Sequence, residues 1–232
     1  MTLPSTVAVL GTGMVGQALA SGIHRAGADV VVGTRDPDAS LARRDPPAMG
    51  EAFGAWHDRH PDVPVLSFRD AAGAGDLVVN ATLGAGSLDA LRTAGAEALG
   101  DKVLLDVSNP LDFSGGFPPS LFVTGPDSLA EQVQRAFPRL RVVKALNTMT
   151  ASVMVDPGSL ADGAHTAFVS GDDAEAKAAV TRGLVEWFGW RPDRVLDLGG
   201  LSTARGTEGY LPLWLHVMGA LGTGRFNVAV VQ

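Results

Sequence analysis

Cysteine is absent from the 232-residue chain. That excludes disulfide frameworks, thiolate nucleophiles, iron–sulfur clusters and cysteine-ligated zinc. Lysine is scarce: Lys102, Lys144 and Lys177 are the full set, so there is no polybasic membrane patch. The formal net charge of −7 argues against a non-specific nucleic-acid binder, whose footprint would be basic. Tyr210 is the single tyrosine, and the residue four places on is Trp214 rather than a lysine, which excludes a Tyr-x-x-x-Lys catalytic pair. His24, His57, His60, His165 and His216 form no metal-ligand grouping; His57 and His60 are three apart but read as a solvated helix face. No window approaches about 18 uninterrupted apolar residues, so no spanning helix is expected. The apolar run Val7–Leu10 meets glycine at once with no basic stretch before it, and a cytoplasmic location is the expectation.

What is present is an ordinary globular balance, 46% hydrophobic and 19% charged residues. Short, continuous apolar runs recur at Thr6–Leu10, Asp29–Val32, Val63–Phe68, Asp76–Ala81, Lys102–Val107 and Arg141–Leu146. Continuous rather than alternating runs suit parallel strands covered on both faces. Helical stretches intervene: alanine-rich sequence to about Ala26, Ser87–Ala98, and a segment opened by Ser128 and Glu131 with the spacing of a capping box. Phe53, Trp56 and His60 also share helical spacing, while Asp36–Pro47 is rich in proline and charge. This alternation predicts an α/β fold, a Rossmann-type doubly wound parallel sheet, over residues 1–147. Residues 148–232 read as a smaller α/β region packed on it, with a strand at Ala167–Gly171 and helices through Ala176–Trp187 and Leu211–Met218.

The first strand runs directly into Gly11-x-Gly13-x-x-Gly16, which opens a helix and is followed by a second strand at Asp29. In that setting the glycines form a dinucleotide fingerprint. Gly11 serves the tight turn, Gly13 the approach of backbone to a pyrophosphate, and Gly16 close helix–strand packing. At the end of the second strand, where an NAD enzyme places an acidic residue, stands Gly33-Thr34-Arg35. A hydroxyl and a guanidinium suit a 2′-phosphate, and NADP(H) is the expected cofactor. Asp36, one position late, competes for the ribose; Arg43 and Arg44 read first as a solvated charge pair. No residue reads as a catalytic acid or base, and Lys144 fits a structural or exposed role at least as well as a chemical one. Orientation of two redox cofactors needs little acid–base help.

The set GTGMVG (Gly11–Gly16), GTR (Gly33–Arg35), DVSNPL (Asp106–Leu111), VVKALNT (Val142–Thr148) and LGGLSTARGTEGYLPLWL (Leu198–Leu215) resembles the NADPH:coenzyme F-420 oxidoreductase family. The nucleotide domain also resembles that of STEAP-type metalloreductases. The resemblance implies a Rossmann domain with a small C-terminal domain, a homodimer, and hydride transfer between NADP(H) and the deazaflavin coenzyme F-420 as co-substrate. By motif, Thr12, Gly13, Met14 and Val15 would wrap the pyrophosphate, and Thr34 and Arg35 would hold the 2′-phosphate. Thr82 and Leu83 would border the adenosine and ribose side. Ser108, Asn109 and Pro110 would stand with Asn147 and Thr148 near the nicotinamide. Asn109-Pro110 reads equally well as a turn, and Asn147 as a helix cap. Arg205 and Glu208, three apart, read as a structural pair. The sequence departs from some members at Asp36, where a second basic residue stands in them. Residues 112–126 read as a long loop beside the acceptor site. Reduction of a flavin or a ferric chelate with NADPH, and a catalytically silent NADPH-binding regulator, are the alternatives.

Overall fold

The computed structural model describes residues 3–47 and 50–231. Its centre is the unit β1 (Thr6–Leu10), α1 (Met14–Arg25) and β2 (Asp29–Thr34), in which two buried strands pair in parallel around a crossover helix. There follow α2 (Pro37–Ala42), α3 (Phe53–Asp58), β3 (Val65–Ser67), α4 (Phe68–Ala74), β4 (Leu77–Asn80), α5 (Gly84–Ala94), α6 (Ala96–Leu99) and β5 (Val103–Asp106). A small hairpin, β6 (Leu111–Asp112) with β7 (Ser120–Leu121), leads to α7 (Leu129–Ala136), β8 (Arg141–Ala145) and α8 (Ala151–Val155). Then come β9 (Ala167–Gly171), α9 (Ala174–Phe188), β10 (Val195–Asp197), α10 (Ala204–Gly209) and α11 (Leu211–Leu221). Among the described residues no helix is long and apolar enough to cross a membrane.

Eight strands form one sheet in the order β10-β9-β8-β5-β4-β1-β2-β3. Neighbours run parallel except at β8–β9, so β9 and β10 oppose the rest. The sheet is doubly wound, as the apolar runs require. One face carries Val7, Val9, Leu105 and Val143 against α1, α8 and α9; the other carries Ala8, Leu10, Leu104 and Val142 against α4, α5 and α7. The region after Asn147 contributes β9 and β10 to this same sheet through hydrogen bonds to β8.

Several local expectations are corrected. The expected helix at 87–98 starts at Gly84 and is broken by Gly95, whose φ of +88° is closed to an ordinary helix. Residues 36–47 hold a helix, α2, because Asp36 caps it and Pro37 occupies its first position. Residues 112–126 are not a bare loop, since β6 and β7 pair Asp112 with Ser120 and fold the first part into a hairpin. The capping box is half formed. Ser128 Oγ accepts from the Glu131 N–H (3.2 Å), but the Glu131 carboxylate turns to Ser128 Oγ and Arg205 rather than to the Ser128 N–H. His57 and His60 do not make a solvated face. His60 stacks on Trp56 with ring centres 4.5 Å apart, and His57 Nε2 lies 3.1 Å from the Val63 carbonyl.

Candidate nucleotide-binding site

The glycine turn shows why this sequence leaves a helix end open. Gly11 has φ of +121°, and a Cβ there would stand 2.6 Å from the Ala81 carbonyl oxygen. A Cβ on Gly16 would stand 2.2 Å from the Gly11 carbonyl oxygen, so α1 sits on the turn only because that carbon is missing. Gly13 differs: a Cβ there would meet nothing within 4 Å. It is the N-cap of α1 with no capping side chain, and the first turn has no acidic residue. Free N–H groups and the positive helix end therefore face open space, a fit for a pyrophosphate.

Two hollows flank this turn. The first, about 290 Å³, is lined by Gly11, Thr12, Thr34, Arg35, Asp36 and Arg43, among others. Among the described residues the Arg35 and Arg43 guanidiniums have no hydrogen bond or ion pair, which leaves both able to make charge-assisted bonds to an anion. Asp36 is committed elsewhere: its Oδ1 accepts from the Ala39 N–H at 2.9 Å. Thr34 is buried, and its hydroxyl is shared with Ser40 Oγ at 2.8 Å. The second hollow, about 270 Å³, brings together Gly13, Met14, Thr82, Leu83, Ser108 and Asn109. Val15, Val107 and Leu111 are also in its wall, which carries no charged side chain among the described residues.

Gly16, Pro110 and Asn147 stand behind these walls. Gly16 lies under the turn, and the Pro110 carbonyl accepts from the Phe122 N–H at 2.9 Å, closing the hairpin. Asn147 is only 2% exposed. Its Nδ2 donates to Asn109 Oδ1 (3.0 Å), while Asn109 Nδ2 donates to the Asn147 carbonyl (2.8 Å). The preceding Leu146 is buried at φ +62°, an uncommon conformation for a non-glycine residue that turns the chain back toward Asn109.

Under the second hollow lies a polar network that reading the residues one at a time misses. Strand register sets Asn80, Asp106 and Lys144 side by side at the C-terminal ends of β4, β5 and β8. Lys144 is neither exposed nor free: it is 1% exposed, and Nζ donates to Asp106 Oδ2 (2.7 Å), to Glu208 Oε1 (2.8 Å) and to the Ser108 carbonyl (2.7 Å). Burial alone would push the ammonium down, but the two carboxylates outweigh it and hold Lys144 above its ordinary range. Asp106 Oδ1 accepts from Asn80 Nδ2 (2.9 Å) and Ser108 Oγ (2.7 Å), and Asn80 Oδ1 accepts from Thr82 Oγ1 (2.7 Å). Arg205 and Glu208 do not pair with each other. Arg205 Nε donates to Glu131 Oε2 at 2.9 Å, while Glu208 accepts from the N–H groups of Leu129 (2.7 Å) and Ala130 (3.1 Å) at the start of α7. The available signal was three apolar runs, each closing on a polar residue at its C-terminal end.

Residues 6–110 match the family model described as NADP oxidoreductase coenzyme F420-dependent. A solved structure of an Arthrobacter sp. FB24 protein, provisionally described as an F420-dependent NADP-reductase, is 51% identical. The match covers 97% of this chain and 99% of that one, with a TM-score of 0.91. The chain belongs to this family. It is accordingly an NADP-linked oxidoreductase. Metalloreductase STEAP3 of Rattus norvegicus is 28% identical over 90% of this chain, which spans 37% of that protein's length. A reductive aminase from Aspergillus terreus, solved with NADPH and ethyl levulinate, shares the fold at 16% identity and a TM-score of 0.62, covering 94% of this chain and 63% of that one.

Proposed function

We propose that this chain transfers hydride between NADP(H) and coenzyme F-420. The observation that carries the reading is the pairing of two unlike hollows across one open helix end. One presents two guanidiniums without a partner among the described residues; the other is lined by uncharged residues, with Leu83 exposed in its wall. In this reading Arg35 and Arg43 bind the 2′-phosphate through charge-assisted bonds, and the first turn of α1 binds the pyrophosphate. Thr82, Ser108 and Asn109 then border the nicotinamide, and Asn147 holds Asn109 in place. When bound, the nicotinamide supplies the hydride and the deazaflavin takes it at carbon, so no strong acid is required of the protein there. The protein's share is to hold two flat rings at about 3–3.5 Å and exclude water. Leu83 (61% exposed) and the hairpin aromatics Phe113, Phe117 and Phe122 (48%, 70% and 42%) offer the apolar surface for the second ring.

The test is purified protein with NADPH and a panel of acceptors, followed at the absorbance of NADPH and of each acceptor. Turnover of the deazaflavin well above that of flavins is the expected result. Tight NADPH binding with reduction of neither deazaflavin nor flavin would replace this reading with that of a nucleotide-binding regulator. The likeness to Metalloreductase STEAP3 favours one other outcome, reduction of a flavin or ferric chelate at the same hollow. The region 148–232 is proposed to supply the acceptor side and a homodimer contact through α11, where Leu213 and Leu221 are 60% and 58% exposed. Light scattering that gives a monomer mass at micromolar concentration would sink the dimer.

A further inference from the structure

The charge stored beneath the second hollow is unbalanced. Each contact of the Asp106 and Glu208 carboxyls is with a donor: the Lys144 ammonium, the Asn80 amide, the Ser108 N–H and hydroxyl, and two N–H groups of α7. That is the pattern of two ionised carboxylates. One ammonium between them leaves a formal charge of −1, and the positive end of α7, about half a charge at most, offsets only part of it. Arg205 adds nothing, because Glu131 neutralises it. The cluster is also close: Ser108 lines the hollow, and its hydroxyl is 2.7 Å from Asp106. Among the described residues no charged side chain lies in the hollow's wall to oppose this field.

We propose that the buried Asp106–Lys144–Glu208 cluster makes this site prefer the oxidised, cationic nicotinamide nucleotide, NADP+, over NADPH. The inference rests on the reading above, that the nicotinamide end lies by Thr82, Ser108 and Asn109. NADP+ and NADPH share every phosphate and sugar, and their rings differ by one positive charge. A fixed negative charge in a poorly polarisable interior therefore acts on the difference between them and on little else. Tighter binding of NADP+ makes bound NADPH the stronger hydride donor by the same factor, through linkage. Because the cluster is buried, its effect is scarcely screened by salt.

The experiment titrates the wild-type protein, Glu208→Gln and Asp106→Asn with NADP+, NADPH and adenosine 2′,5′-bisphosphate, following binding by calorimetry. In Glu208→Gln the affinity ratio of NADP+ to NADPH falls by about fivefold, while affinity for the bisphosphate, which lacks the nicotinamide, is unchanged. Asp106→Asn moves the ratio in the same direction. An unchanged ratio in a variant that still binds the bisphosphate at wild-type strength overturns the proposal. Should neither variant fold, the wild-type ratio decides: it holds constant between low and high salt, and a ratio that collapses with salt overturns the proposal in favour of surface charge. Wild-type protein that binds NADP+ and NADPH no better than the bisphosphate places no nicotinamide in the hollow. That outcome fails the site reading itself and overturns the inference with it.

Discussion

Asn109 and Asn147, 38 residues apart in the chain, exchange hydrogen bonds across the ends of β5 and β8: amide to amide at 3.0 Å and amide to carbonyl at 2.8 Å. Asn109 lines the hollow and Asn147 stands behind it, so Asn147 acts by fixing its neighbour's orientation. Asn147→Leu should lower kcat strongly while leaving NADPH affinity within a few-fold, because the phosphate anchors are elsewhere. A double-mutant cycle with Asn109→Ala should give a coupling of about 0.5–3 kcal/mol in transition-state free energy. Simple additivity would show the two residues acting separately.

Arg35→Ala removes one of the two guanidiniums of the first hollow that have no partner among the described residues. NADPH affinity should fall by roughly 1.5–3 kcal/mol, with NADH affinity nearly unchanged. Equal losses for the two nucleotides, measured side by side, would refute the 2′-phosphate assignment.

The fingerprint glycines should part company on substitution. Gly13→Ala places a methyl group in open space, so thermal stability should change little while NADPH binding is lost to the blocked pyrophosphate site. Gly16→Ala drives a methyl group into the Gly11 carbonyl and should destabilise the fold itself. Melting temperature and nucleotide affinity, recorded for both variants, separate the two effects.

Lys144→Met leaves two buried carboxylates without their cation and should cost about 3–5 kcal/mol of stability in urea unfolding. The pH dependence follows from the raised ammonium. Its contribution is complete below the unfolded value of about 10.5 and is lost only as pH rises through the higher folded value. The wild type should therefore stay above the variant through the neutral range, and the two should converge only in strong base. Convergence at neutral pH would contradict the charged assignment.

Much of this was legible in the residues. The turn at Gly11–Gly16 is largely local: the φ of Gly11 and the approach of Gly16 to the Gly11 carbonyl favour glycine, and a strand before and a helix after complete the pattern. The apolar runs of β1, β2, β4, β5 and β8 were recognisable because a strand buried on both faces has no polar side to show. Short elements such as α2 and β10 escaped, since a single capping aspartate or three strand residues carry little periodicity.

By itself the sequence determined the strand–turn–helix that presents free N–H groups, the basic residue after β2, and the family motifs near the ends of β5 and β8. Tertiary structure alone decided which polar residues meet. Arg205 turns to Glu131, Glu208 closes on Lys144, and Asn109 meets Asn147. The physical reason is range. Backbone preference acts within a turn or two, whereas partners are set by strand register and crossover, which place Asp106 beside Lys144 and bring α10 over both.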